Sequence, residues 1–200
     1  MKKTVLFVLL ESYAEWEAAY LSSALRMLAG ADYEVKTIAP TREPVHSIGG
    51  FCTLPDFDFG CAPSDYCALI LIGGMSWRTE AARRVRPLVE DCLRKGALLG
   101  AICDASTWLG ATGALNEVRH TSNMLDDLKA LAGANYAGEA LYVREQAVRG
   151  GNIVTANGTA ALEFAREVLL ALEAAPEEAI LEWYNFHKLG YYQAPLPSAL

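Results

Sequence analysis

Five short apolar runs, each followed by a stretch of helical periodicity, constrain this chain more than any other feature. The runs lie at 4–10, 34–39, 67–72, 97–102 and 152–156, and helical spacing occupies about 13–29, 79–95, 104–112, 124–132 and 159–174. A run such as Leu69-Ile70-Leu71-Ile72 has no polar face, so it belongs in a strand covered on both sides, the condition of a parallel sheet with helical crossovers. The pattern predicts an α/β fold. The chain has 200 residues, 52% of them apolar, which fills one core and leaves no room for a second. Residues 40–66 interrupt the alternation with four prolines, Gly49, Gly50 and Gly60, and read as an irregular excursion holding a small hairpin. Residues 140–149, where Leu141, Tyr142 and Val143 stand among charged residues, read as a peripheral strand pair. After Pro176 a final amphipathic helix runs to about Leu189 and ends in an aromatic tail, so residues 1–175 form the domain and 176–200 pack onto it.

Charge and cysteine usage exclude several classes of function. With 24 acidic against 17 basic side chains the net charge is -7, and no stretch gathers enough Lys and Arg to hold a phosphate backbone, so no nucleic-acid partner is expected. The five cysteines contain no C-x-x-C pair, and the three histidines do not join them at zinc-ligand spacing, so neither a disulfide framework nor a metal is expected. Nothing in the composition calls for a cofactor. Lys2-Lys3 before Thr4–Leu10 imitates a secretory signal, but Glu11, Glu15 and Glu17 follow without a small-residue cleavage site, so the run reads as a first strand. With no apolar segment long enough to span a bilayer, the expectation is a soluble cytoplasmic protein without a membrane partner.

In a sheet of this kind chemistry sits just past the carboxyl ends of the strands, and three places there do not fit a packing role. The first is Gly100-Ala101-Ile102-Cys103-Asp104-Ala105-Ser106, where a buried strand turns directly into a helix. A side chain projecting from so tight a turn needs small residues two before and two after it, as Ala101 and Ala105 are. The free N–H groups of the following helix would favour a thiolate at Cys103, although a small buried Cys is also an ordinary core residue. The second place is Glu17. Ser12-Tyr13-Ala14-Glu15 fits a capping box that starts the first helix near Tyr13 and gives Glu15 a structural place. Helical phase then puts Glu17 in the stripe of Ala14, Ala18, Leu21, Ala24, Leu25 and Leu28, where a carboxylate must find a partner, take up a proton, or reach water at the rim. The third is Ile72-Gly73-Gly74, a glycine pair at a strand end that lets backbone N–H groups approach a substrate oxygen, or simply makes a turn.

Taken in order, these motifs resemble the ThiJ/PfpI family of the class I glutamine amidotransferase-like superfamily, and the likeness runs from Lys3 to about Glu173. The resemblance implies a flavodoxin-like three-layer α/β/α sandwich with a mostly parallel central sheet and a nucleophile elbow. It places the family's acid at Glu17, its oxyanion hole at Gly73, Gly74 and the Asp104 amide, and its nucleophile at Cys103, with Asp104 beside it as a further catalytic candidate. It also implies a homodimer. The chain departs from the family in its histidines. The protease-like branch carries His directly after the cysteine, where this chain has Asp104, and the segment that supplies a histidine in other members reads Arg119-His120-Thr121-Ser122-Asn123 here. Asn123 takes the matching position and His120 is displaced by three, either reaching the site or facing solvent or satisfied in the core. Residues 150–165 contain no histidine, so glutamine amidotransferase activity is not expected.

A thiol of pKa about 8.5 is mostly protonated at neutral pH, so Cys103 needs tuning by the helix end and a protonated acid. A tuned pair supports a cysteine-dependent hydrolase or hydratase acting on a small molecule. The alternative is a redox or stress sensor in which Cys103 is oxidised, and a third is a scaffold that keeps the elbow without activity. Ser76, Trp77, Trp108, His120 and Asn123 are the candidate pocket residues, and His187 enters only if a second subunit brings it there.

Overall fold

The computed structural model describes residues 2–198. In chain order the elements are β1 (Lys3–Val8), α1 (Glu15–Leu28), β2 (Tyr33–Ala39), β3 (Val45–His46), β4 (Cys52–Thr53), β5 (Phe57–Asp58), β6 (Ala68–Leu71), α2 (Glu80–Arg83), α3 (Arg86–Lys95), β7 (Leu98–Ile102), α4 (Asp104–Gly110), α5 (Leu125–Ala132), β8 (Ala147–Gly150), β9 (Ile153–Ala156), α6 (Ala161–Leu172) and α7 (Glu177–Leu189). Seven strands form one sheet in the order β5-β2-β1-β6-β7-β9-β8, parallel except where β8 returns antiparallel to β9. The expected α/β/α sandwich is therefore the observed fold, and all five strands read from apolar runs are present in it.

The sheet is apolar on both faces because its inner strands alternate between two cores. Along the chain from β1, Val5, Phe7 and Leu9 enter one core with Leu21, Leu25, Phe164 and Trp183, beneath α1, α6 and α7. Leu6, Val8 and Leu10 enter the other with Leu69, Val89, Leu109 and Leu128, beneath α3, α4 and α5. Gly100 in the middle of β7 lets α6 approach: a Cβ there would lie 2.8 Å from the Ile70 side chain and 2.9 Å from the Phe164 ring.

Four local readings are corrected. The helical pattern over 79–95 is two helices, because Pro87 cannot donate within a continuous helix and instead occupies the first turn of α3. Ser12 does not cap α1: its backbone sits at φ 58°, its N–H donates to His46 O, its carbonyl accepts from Met75 N, and the helix starts at Glu15 without a side-chain cap. Glu15 is structural in another way, accepting the Gly49 N–H at 3.3 Å from the turn of the β3–β4 hairpin. The expected strand at 140–149 begins only at Ala147, and Tyr142 makes an isolated bridge to His120 instead. Among the described residues no helix is long and apolar enough to cross a membrane.

Candidate active site

The carboxyl ends of β1, β6, β7 and β9 converge on Cys103. Its N–H donates to Ala156 O at 3.0 Å, and the buried Ser106 hydroxyl donates to Cys103 O at 2.6 Å and to Ala156 O at 3.2 Å, fastening the turn to β9. The chain passes from strand to helix in this one residue, which stands at φ 60° and ψ -133° as the N-cap of α4. A non-glycine residue held there stores backbone strain of about 1–3 kcal/mol. That strain projects the sulfur away from the sheet.

Glu17 is 0% exposed, as its helical phase predicts. Its Oε2 accepts the Gly73 N–H at 2.8 Å, while Oε1 is buried without a hydrogen-bond partner among the described residues. Gly73 is the wedge between acid and thiol, since a Cβ there would stand 2.5 Å from Cys103 Cβ, 2.5 Å from Glu17 Oε2 and 2.9 Å from Ile102 O. Its N–H is engaged by Glu17 rather than turned toward the sulfur. Gly74, at φ 140°, pairs with Tyr13 and leaves no room for a side chain against Ser12.

Burial raises the Glu17 carboxyl to about 7, against the opposing pull of the thiol and of the Gly73 N–H. Burial also pushes the Cys103 thiol up, and the Glu17 charge adds to that, while Asn123 and the Asp104 N–H pull it down. Cys103 and Glu17 therefore act on one another directly. With the thiol pushed up and the acid at about 7, the sulfur keeps its proton at neutral pH while Glu17 stands near the midpoint of its own titration. The expectation of a thiol tuned downward is therefore not met: burial and the Glu17 charge outweigh the Asn123 and Asp104 donors, and the thiol is pushed up.

The remaining candidates divide cleanly. Asn123 belongs to the site: its Nδ2 donates to Cys103 Sγ at 3.5 Å and its Oδ1 accepts the Gly158 N–H at 2.8 Å. It also lines a cavity of about 780 Å³ with Thr121, Tyr142, Arg144 and Gln146. His120 does not reach the sulfur. It is fully buried, with Nδ1 against Val118 O and Nε2 against the Tyr136 hydroxyl, both at 2.7 Å, so the core reading holds and burial lowers its pKa. Trp77 is a core residue too, donating from Nε1 to Ile72 O and packing 5.2 Å from Trp108. Ser76 donates its hydroxyl to Glu11 O. His187 packs among Tyr20, Trp183 and Phe186 within its own chain. Among the described residues no cluster of three or more His, Cys, Asp or Glu could hold a metal ion.

Two neighbours of the site were not among the sequence candidates. Gly158, at the end of β9, lies where a Cβ would come 2.8 Å from Cys103 Sγ. The only signal for it is a glycine just past a strand at the active end of the sheet. Because no backbone conformation special to glycine is required there, Gly158→Ala is expected to fold but to slow iodoacetamide alkylation of Cys103 by about tenfold or more by crowding the sulfur, with the thermal midpoint lowered by roughly 2–10 °C through overpacking. Arg78 is the other, and no local motif marks it: its guanidinium grips both carboxylate oxygens of Asp104 at 3.0 and 2.8 Å. Asp104 accordingly offers the site its backbone N–H, while its carboxylate is held elsewhere.

A parallel α/β sandwich with a thiol on a strained strand-to-helix turn and a buried acid beside it defines a class of elbow-cysteine domains. The sequence matches the DJ-1/PfpI family over residues 3–171. An uncharacterized protease of Bacillus subtilis, YdeA, is 36% identical over 191 residues, covering 95% of this chain and 93% of its own. A second from the same organism, YoaZ, is 33% identical over 193 residues, covering 94% and 91%. The crystal structure of a DJ-1 superfamily protein from Agrobacterium tumefaciens superposes with a TM-score of 0.85 at 35% identity, over 94% of this chain and 98% of that one. A ThiJ/PfpI family protein from Bacillus anthracis gives 0.86 at 31% identity, over 94% and 91%. The chain belongs to the DJ-1/PfpI family.

Proposed function

We propose that this protein is a cysteine-dependent hydrolase or hydratase of small molecules, with Cys103 as nucleophile and Glu17 as the group that moves its proton. The observation that carries the reading is a half-buried thiol on a strained turn beside a fully buried carboxyl, with two donors, the Asp104 N–H and the Asn123 amide, acting on the sulfur. As the sulfur bonds to an aldehyde, isocyanide or acyl carbon, its proton passes to Glu17, whose raised pKa suits both uptake and return near pH 7. Charge developing on the substrate is met by the Gly74 and Asp104 amides, Glu17 returns the proton to the substrate or its leaving group, and water then adds to the adduct carbon as the carbon–sulfur bond breaks and Cys103 is released as the thiol. A homodimer in a cytoplasmic setting belongs to the same reading.

The test is the pH dependence of Cys103 alkylation in wild type and Glu17→Gln. A coupled pair gives a wild-type profile that changes near pH 7 and loses that step in Glu17→Gln. An ordinary thiol profile near 8.5 in both proteins would remove the tuned nucleophile.

The unpartnered Glu17 Oε1 favours a second reading, a redox sensor. The thiol passes its proton to Glu17, the sulfur takes one peroxide oxygen while Glu17 protonates the departing oxygen, and sulfenic acid and water result; a second peroxide gives water and a sulfinate, whose released proton returns to Glu17 and is then shared with a sulfinate oxygen. Peroxide oxidation confined to Cys103, together with no turnover of aldehydes, isocyanides, esters or a short peptide, would favour this reading over the enzyme.

A further inference from the structure

The segments that meet at Cys103 come from three separate parts of the chain. Gly73 and Gly74 follow β6, Cys103 and Asp104 open α4, and Asn123 stands two residues before α5. Arg78 touches all three. Its own backbone continues the glycine turn past Trp77, which is anchored by its bond to Ile72 O. Its Nε and Nη2 fork the Asp104 carboxylate at 3.0 and 2.8 Å. Its Nη1 and Nη2 reach the Asp127 carboxylate, in the first turn of α5, at 3.1 and 2.5 Å.

Four charge-assisted bonds from one planar group define an orientation as well as an energy, unlike a single ion pair on a surface. The guanidinium is half exposed, but the carboxylates it holds are more sheltered, at 17% and 27% side-chain exposure. Both carboxylates raise the Arg78 pKa, so the fork stays charged throughout the working range.

We propose that Arg78 is the positioning residue of the active site, clamping the glycine turn, the elbow and the Asn123 loop in the one arrangement that aims the Asp104 and Asn123 donors at the sulfur. This inference rests on the reading of Cys103 as the nucleophile. Arg78 touches neither the thiol nor any reacting atom, and it acts through the segments it holds. Lysine would keep the charge and lose the fork.

The test measures the pH profile of iodoacetamide alkylation at Cys103 in four proteins, with the thermal midpoint of each as a check on folding. They are the wild type, Arg78→Lys, Arg78→Ala, and Arg78→Ala combined with Asp127→Asn, which restores the native net charge of the cluster without its clamp. Loss of positioning is expected to move the profile up by about one pH unit in all three variants, a roughly tenfold slower reaction at pH 7. If Arg78→Lys or the double variant reacts as wild type does, charge rather than clamping is the cause and the proposal is overturned. Wild-type profiles in every variant would overturn it as well, while leaving the Cys103 nucleophile standing. A wild type without selective reaction at Cys103 would bring down the nucleophile, and the positioning role with it.

Discussion

Cys103→Ser is expected to abolish turnover of whichever aldehyde, isocyanide or ester the wild type converts, by at least about a thousandfold. The reason is proton affinity. Glu17, raised to about 7, can accept a proton from a thiol, but an alcohol ionises many units higher, and the same carboxyl cannot activate it. The serine oxygen is also the smaller atom, so it fits the space beside Gly158 and Asn123 without disturbing the turn. Steady-state assays beside a circular dichroism melt make the check: an unchanged melt with lost turnover is the expected result. Turnover within tenfold of wild type would remove sulfur from the mechanism.

Glu17→Gln is expected to lower activity by about a hundredfold and, at the same time, to make the protein more stable in mild alkali. In the folded chain the carboxyl titrates near 7, above its ordinary 4.5, because burial disfavours the charge. Between roughly pH 4.5 and 7 the folded protein holds a proton that the unfolded chain releases. Wild-type stability therefore falls as pH rises through this window, then levels, by an amount on the order of 3 kcal/mol. A glutamine keeps an oxygen for the Gly73 N–H and carries no charge, but it buries an NH2 group where Oε1 finds no hydrogen-bond partner. The net gain at pH 8 should be on the order of 1 to 3 kcal/mol, or roughly 5 °C in the thermal midpoint, and should fall to zero or become a net loss of up to about 2 kcal/mol near pH 4.5, where the wild-type acid is uncharged as well. Denaturant melts of both proteins at pH 4.5, 6 and 8 decide it. Parallel curves would mean that Glu17 is not the buried acid described here.

The comparison of residues with structure shows where a single sequence is informative. Strands β1, β6, β7 and β9 were legible because burial on both faces removes polar residues from a run, and the shortness of each run with its flanking turn residues favours strand over helix. Glu17 was legible from phase alone, as a charge inside an apolar stripe. Cys103 was legible from its small neighbours, since a tight turn excludes bulk at Ala101 and Ala105. The misreadings have other causes. The Ser12 cap and the placing of Trp77 in a pocket were local inferences overruled by partners distant in the chain, His46 and Met75 for Ser12 and Trp108 for Trp77. The single helix over 79–95 failed locally, because its apolar phase masked the break that Pro87 makes. His120 is satisfied by Tyr136, 16 residues on, and Arg78 finds its carboxylates 26 and 49 residues away, separations that no local pattern encodes. Asn123 lay between these cases, placed by family likeness and given its chemistry only by the approach of Gly158.

Held at φ 60°, position 103 is one where glycine would rest without strain and where any other residue stands against its preference. Mutational drift and chemistry therefore pull this codon in opposite directions. A descendant that had stopped using the sulfur would become sturdier by exchanging it for glycine, so the residue that a duplicated copy of this gene carries at 103 records whether its reaction is still under selection.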